Sequence, residues 1–123
     1  MAVDLPHYRI EARPTLALDQ IASICALIDR VTDHDGMRPL SEHVWLHLKE
    51  GGDERGQHLI ATRADGSVAA YAHLDVTDPV DGPSAELAVD PADRRLGLGR
   101  QLIDELITHS PDGRLRLWAH GEQ

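Results

Sequence analysis

The stretch Leu87-Ala88-Val89-Asp90-Pro91-Ala92-Asp93-Arg94-Arg95-Leu96-Gly97-Leu98-Gly99-Arg100 decides how this chain is read. An apolar run stops at Asp90-Pro91, a pairing that breaks regular structure. An arginine-rich loop carrying Gly97 and Gly99 follows, and then Leu98, Leu102, Ile103 and Leu106 recur at helical spacing up to Pro111-Asp112-Gly113. The segment therefore reads as strand, glycine loop, helix. Backbone amides at a helix N-terminus have no intrahelical acceptor and sit at the positive end of the macrodipole, so they attract anions where the backbone can be approached. Gly97 and Gly99 permit that approach, and Arg94, Arg95 and Arg100 add positive charge. The plainer alternative is an ordinary helix start with a solvated arginine rim. Two other phosphate loops are excluded by spelling. The third glycine of a dinucleotide fingerprint is missing, and no Gly-Lys-Ser/Thr follows.

Working outward, Ala85 to Val89 forms the strand entering this loop, preceded by Pro79, Asp81-Gly82 and Pro83. Further upstream, His58 to Arg63 and Val68 to Leu74 flank Ala64-Asp65-Gly66-Ser67, whose Asp-Gly pair predicts a hairpin. Earlier still, Leu18, Ile21, Ile24, Cys25, Ile28 and Val31 predict an amphipathic helix broken by residues 32–36. Ser41 is a candidate N-cap for a shorter helix over Glu42 to Glu50, stopped by Gly51-Gly52. The first strand is predicted over His7 to Ala12, ended by Pro14, and the last over Leu115 to Ala119. The order β-α-α-β-β-β-α-β predicts a single α+β domain over residues 1–123.

Composition sets the bounds. Among 123 residues, 41% are hydrophobic and 27% charged, which argues against collagenous, disordered and membrane classes. Aromatics are 3% with no Phe, so the core is expected to be Leu, Ile, Val and Ala around Tyr8, Trp45, Tyr71 and Trp118. The net charge of −9 opposes nucleic acid and anionic lipid, so no nucleic-acid or membrane partner is expected. An anionic ligand must then be held by a local site. Cys25 is a lone cysteine on the inward stripe, which fits a reducing compartment and excludes a cysteine zinc site. No apolar run is long enough to span a bilayer and no secretory signal is evident, so a cytoplasmic protein is expected. His43 and His47 stand four apart on the second helix, but no third ligand is identified, and no metal is expected.

Arg94-Arg95-Leu96-Gly97-Leu98-Gly99 resembles the Gln/Arg-x-x-Gly-x-Gly/Ala signature of the GNAT acetyltransferases, and the order of elements is similar to theirs. Asp35-Gly36 before Pro39 and Glu42, Ala85-Glu86-Leu87 before Pro91, and Trp118-Ala119-His120-Gly121 resemble more closely the first domain of the mycothiol synthase family. The resemblance implies a GNAT-like acyl-CoA acyltransferase fold and acetyl transfer from acetyl-CoA to the cysteinyl amine of a glucosaminyl-inositol precursor. It implies that Arg94, Arg95, Leu96, Gly97, Leu98, Gly99 and Arg100 hold the CoA diphosphate. Leu87, Ala88 and Val89 would line the pantetheine arm through backbone hydrogen bonds, and one of their amides would polarise the thioester carbonyl.

Glu86, on the opposite strand face from Leu87, is a candidate general base, with a solvated or capping carboxylate as its alternative. Asp35 matches a family position associated with the amino-sugar substrate, and a turn residue is its alternative. His120, at the mouth end of the last strand, is a candidate for titration near neutrality. A complete GNAT domain adds a helix and two strands after the position where this sequence stops, and that helix commonly carries a tyrosine acid. The resemblance therefore implies a partial domain, with a second GNAT domain or a partner chain covering the last strand. Two other readings stand beside this one: a GNAT enzyme acting on another amine, and a non-catalytic CoA-binding lobe.

Overall fold

The computed structural model describes residues 2–5, 8–49, 56–75, 83–94, 97–110 and 115–118. Six strands form one sheet in chain order: β1 (Ala2–Leu5), β2 (Tyr8–Arg13), β3 (Gly56–Arg63), β4 (Val68–Asp75), β5 (Ser84–Val89) and β6 (Arg116–Trp118). Neighbours are antiparallel from β1 to β5, while β5 and β6 run parallel. A parallel pair requires a crossover, and α3 (Leu98–His109) supplies it. The two earlier helices, α1 (Leu18–Asp35) and α2 (Glu42–Lys49), fall between β2 and β3.

Side-chain alternation along the strands divides the core in two. Ile10, Leu59, Ala61, Ala72, Leu74 and Val89 pack with Leu98, Leu102 and Leu106 of α3. On the other face Ile60, Tyr71 and Ala88 pack with Ile24, Leu27, Ile28 and Val31 of α1 and with Val44 and Leu48 of α2. Alanines at strand centres bring the helices close to the sheet. The hairpin closes as its sequence predicts: Gly66 takes φ +91°, the Arg63 amide donates to Ser67 O at 2.8 Å, and the Ser67 amide donates to Asp65 Oδ1 at 2.9 Å.

Three expectations need correction. A strand precedes the first predicted one, because Ala2–Leu5 pairs with Tyr8–Glu11; four residues ahead of Pro6 are too few for periodicity to register. Helix α1 continues through Thr32 to Asp35 and ends at Gly36, whose left-handed φ of +79° lets its amide donate to Thr32 O at 2.9 Å. Leu18, predicted inward, is 86% exposed at the first turn of α1, whereas Ile24, Ile28 and Val31 of the predicted stripe are buried and Leu27 joins them.

Candidate functional site

The corner between β5 and α3 is built by backbone geometry. Pairing of Ala61 with Ala70 and of Thr62 with Val68 leaves Ala69 as an extra residue on β4. The Ala69 carbonyl accepts from the Asp90 amide at 2.8 Å just where β5 ends. Asp90 Oδ1 accepts from the Ala92 amide at 3.0 Å and caps a short 3-10 turn, Pro91–Asp93, with proline at its first turn. Gly97 then adopts φ +84°, the left-handed region that favours glycine, and starts α3. Its carbonyl accepts from the Gln101 amide at 3.1 Å, and among the described residues no side chain caps the helix. The amides of Leu98, Gly99 and Arg100 thus have no intrahelical acceptor. A Cβ on Gly97 would meet nothing within 4 Å, so its need for glycine comes from backbone conformation alone. A Cβ on Gly99 would make only an ordinary 3.8 Å contact with Val89 Cγ2, so steric approach does not demand glycine there.

The arginines divide by role. Arg94 donates through both terminal nitrogens to the Asp35 carboxylate at 2.8 and 2.7 Å, and through Nε to Val89 O at 3.2 Å. These bonds from Arg94, with a further one from His34, hold the Asp35 carboxyl down at about 2, below its ordinary 3.8. Two residues assigned by sequence to different ligands, the diphosphate and the amine, are therefore partners of each other. Arg100 is exposed on the first turn of α3, and Arg95 and Leu96 lie outside the described residues.

Two aspartates at the corner were assigned no role in the sequence. Asp93 accepts two bonds from Arg63, at 3.1 and 2.8 Å, and one from the Tyr8 hydroxyl at 3.1 Å. Asp90 Oδ2 lies 2.9 Å from Arg30 Nε and 3.1 Å from an Arg63 terminal nitrogen. Both aspartates are at least nine-tenths buried. Their side-chain partners among Tyr8, Arg30 and Arg63 are remote in sequence, up to 85 residues away, so no local pattern could have announced them.

Strand β5 changes character along its length. From Ser84 to Glu86 it is flanked by β4 on one side and β6 on the other. From Leu87 to Val89 only β4 pairs with it, and among the described residues the opposite edge has no ladder partner. Ala88 and Val89 are buried and Leu87 is half-buried, so their side chains serve the core, while on the backbone the Val89 carbonyl accepts from Arg94 Nε.

Glu86 sits where β5 changes. Its carboxylate is buried and accepts from the amide of Ser41 and, at 2.8 Å, from the Ser41 hydroxyl. Ser41 Oγ also accepts from the Val44 amide at 3.3 Å, in its predicted place at the head of α2. Glu86 thus makes the capping contacts that its alternative reading named. His73 of β4 is its register partner, and His58 of β3 is the register partner of His73. His58 Nδ1 lies 2.6 Å from the Tyr71 hydroxyl, and burial pushes that phenol well above its ordinary value. Among the described residues no group of three metal-ligating side chains converges. The side chains of His43 and His47, and all of His120, lie outside the description. An open groove of about 300 Å³ is lined by Arg9, Glu11, Asp19, Thr62, Gly66 and Val68 among others, from α1, β2 and the β3–β4 hairpin.

This geometry has relatives. The chain is 52% identical over 116 residues to a mycothiol acetyltransferase of Acidothermus cellulolyticus, covering 93% of this chain and 35% of that protein. It is 47% identical to a mycothiol acetyltransferase of Streptosporangium roseum, covering 92% and 33%. The chain thus spans about a third of the length of the curated relatives it matches. In structure it is similar to a GNAT-family acetyltransferase of Staphylococcus aureus, with TM-score 0.62 and 15% identity over 81% of this chain and 65% of that one. It is also similar to a glucosamine N-acetyltransferase region of a fungal multi-domain β-N-acetylglucosaminidase, with TM-score 0.67 and 18% identity over 94% of this chain and 14% of that one. Among the described residues no helix is long and apolar enough to cross a membrane. Residues 19–122 match the acetyltransferase (GNAT) family, a span that takes in nearly all of α1, the whole of β5 and the glycine-turned start of α3, and the chain belongs to that family.

Proposed function

We propose that this chain binds acetyl-CoA at the β5–α3 corner and serves acetyl transfer to the cysteinyl amine of the glucosaminyl-inositol precursor of mycothiol. The observation that supports the reading is the glycine-turned start of α3 beside Leu87–Val89, which among the described residues has a ladder partner only in β4. The amides of Leu98, Gly99 and Arg100 would hold the diphosphate, assisted by the Arg100 side chain, while the edge of β5 would hydrogen-bond the pantetheine amides. Arg95 and Leu96 belong to the same motif. Bound acetyl-CoA supplies the activated acetyl group. The acceptor amine must lose a proton, and Glu86 at the point where β5 opens is the candidate base, oriented by Ser41. The identity to mycothiol acetyltransferases favours this acceptor over other amines.

A second reading rests on one contact. Because both oxygens of Glu86 are engaged at the head of α2, the chain also suits a non-catalytic acetyl-CoA-binding lobe that assembles with a second GNAT domain. Titrating acetyl-CoA into wild type and Gly97→Asp, beside turnover of the cysteinyl glycoside by wild type and Glu86→Gln, decides between them. Binding is expected in wild type and lost in Gly97→Asp, which puts a charge and a strained backbone at the anion site. With Glu86 as base, turnover falls about 100-fold or more in Glu86→Gln. Binding without turnover selects the lobe, and turnover on other amines alone replaces the acceptor. Absence of binding by wild type refutes both readings.

A further inference from the structure

Three arginines and three aspartates meet around the segment that leads into the anion site, and none of the six projects freely. Arg30 and Asp35 come from α1, Arg63 from the end of β3, and Asp90, Asp93 and Arg94 from the corner itself. Tyr8 adds a hydroxyl from β2. Arg63 is fully committed, since a terminal nitrogen also donates to Ser67 Oγ at 3.0 Å and to Val68 O at 3.2 Å. Residues 90–94 are thereby fastened to α1, β2, β3 and, through Ala69 O, to β4. Formal charges cancel within the cluster, so three carboxylates that would repel an anion are neutralised where the acidic molecule can least tolerate them.

We propose that this network is the positioning device of the diphosphate site, with Arg63 and Asp93 at its centre: it holds the corner in the one geometry from which Gly97 can aim the α3 amides at an anion. The proposal rests on the acetyl-CoA reading given above. Neither residue touches the ligand; both act through the backbone between β5 and α3. An arginine fork matched to a carboxylate gives directional rigidity that a lysine point charge does not. Loss of that rigidity should therefore be felt by the part of a ligand that bears the diphosphate.

The test compares acetyl-CoA with S-acetyl-pantetheine, which lacks diphosphate and nucleoside, in the wild-type chain, Arg63→Lys and Asp93→Asn, with circular dichroism and melting curves to verify folding. In both variants acetyl-CoA affinity is expected to weaken about tenfold, the order of one displaced charge-assisted hydrogen bond. S-acetyl-pantetheine affinity, measured by ligand-detected NMR at millimolar concentration, is expected to stay within about twofold of wild type. Unchanged acetyl-CoA affinity in folded variants overturns the proposal, as does an equal loss for both ligands, which is what general destabilisation would give. If Arg63→Lys fails to fold, Asp93→Asn decides alone, since it removes charge while keeping shape. A wild-type chain that does not bind acetyl-CoA overturns the reading of the site itself, a result separable from failure of the brace.

Discussion

The two faces of the sheet are built by different rules. Under α3 the buried strand residues are apolar: Ile10, Leu59, Ala61, Ala72, Leu74 and Val89. Under α1 and α2 the same strands bury His58, Tyr71, His73 and Glu86 among their apolar neighbours. Burying polar groups costs free energy unless they are paired, so a face that keeps them is shaped by more than packing. The α3 face holds the sheet to its crossover helix. The opposite face orients Glu86 and joins the head of α2 to β5.

This difference can be broken most forcefully from the apolar side. Leu102→Ala, at a fully buried position, is expected to cost about 2–5 kcal/mol in denaturant unfolding, without altering the pH dependence of stability. On the polar face, Tyr71→Phe keeps the ring but removes the hydroxyl that meets His58, and is expected to cost about 1–3 kcal/mol in the same assay. The same variant sharpens the comparison at alkaline pH. Burial keeps the Tyr71 phenol protonated in the folded chain, whereas the unfolded chain releases that proton near 10.0. Folded wild type thus binds more protons, and its stability falls as pH rises past that value. Tyr71→Phe should lose this component of the fall. The smallest effect is expected at Leu18→Ser, at the exposed start of α1, within about 0.5 kcal/mol of wild type, which would confirm that Leu18 stands outside the buried stripe.

Much of this architecture was readable locally. Helix α3 announced itself by the spacing of Leu98, Leu102 and Leu106, and the β3–β4 hairpin by Asp65-Gly66, because both signals lie within a few residues. The glycine loop before α3 was legible too, but the sequence reads Gly97 as room for a ligand's approach, whereas in the structure its positive φ is what requires glycine. What could not be read depends on partners remote in sequence. Period two placed Glu86 opposite Leu87 but could not bring Ser41 onto its carboxylate. Arg94 looked available to a ligand until α1 was seen to run on to Asp35 and occupy it. Short β1 carried no pattern of its own and exists through its pairing with β2.

The brace has a consequence for assembly. Arg30 and Asp90 are 60 residues apart, Asp35 and Arg94 are 59, and Tyr8 and Asp93 are 85. Each junction closes a long loop, whose entropy must be met before the junction returns any stability. High contact order of this kind delays formation of the corner until both helical layers have docked. The proposed diphosphate binding should accordingly appear late in refolding, as a signal that the chain has finished collapsing onto its native topology.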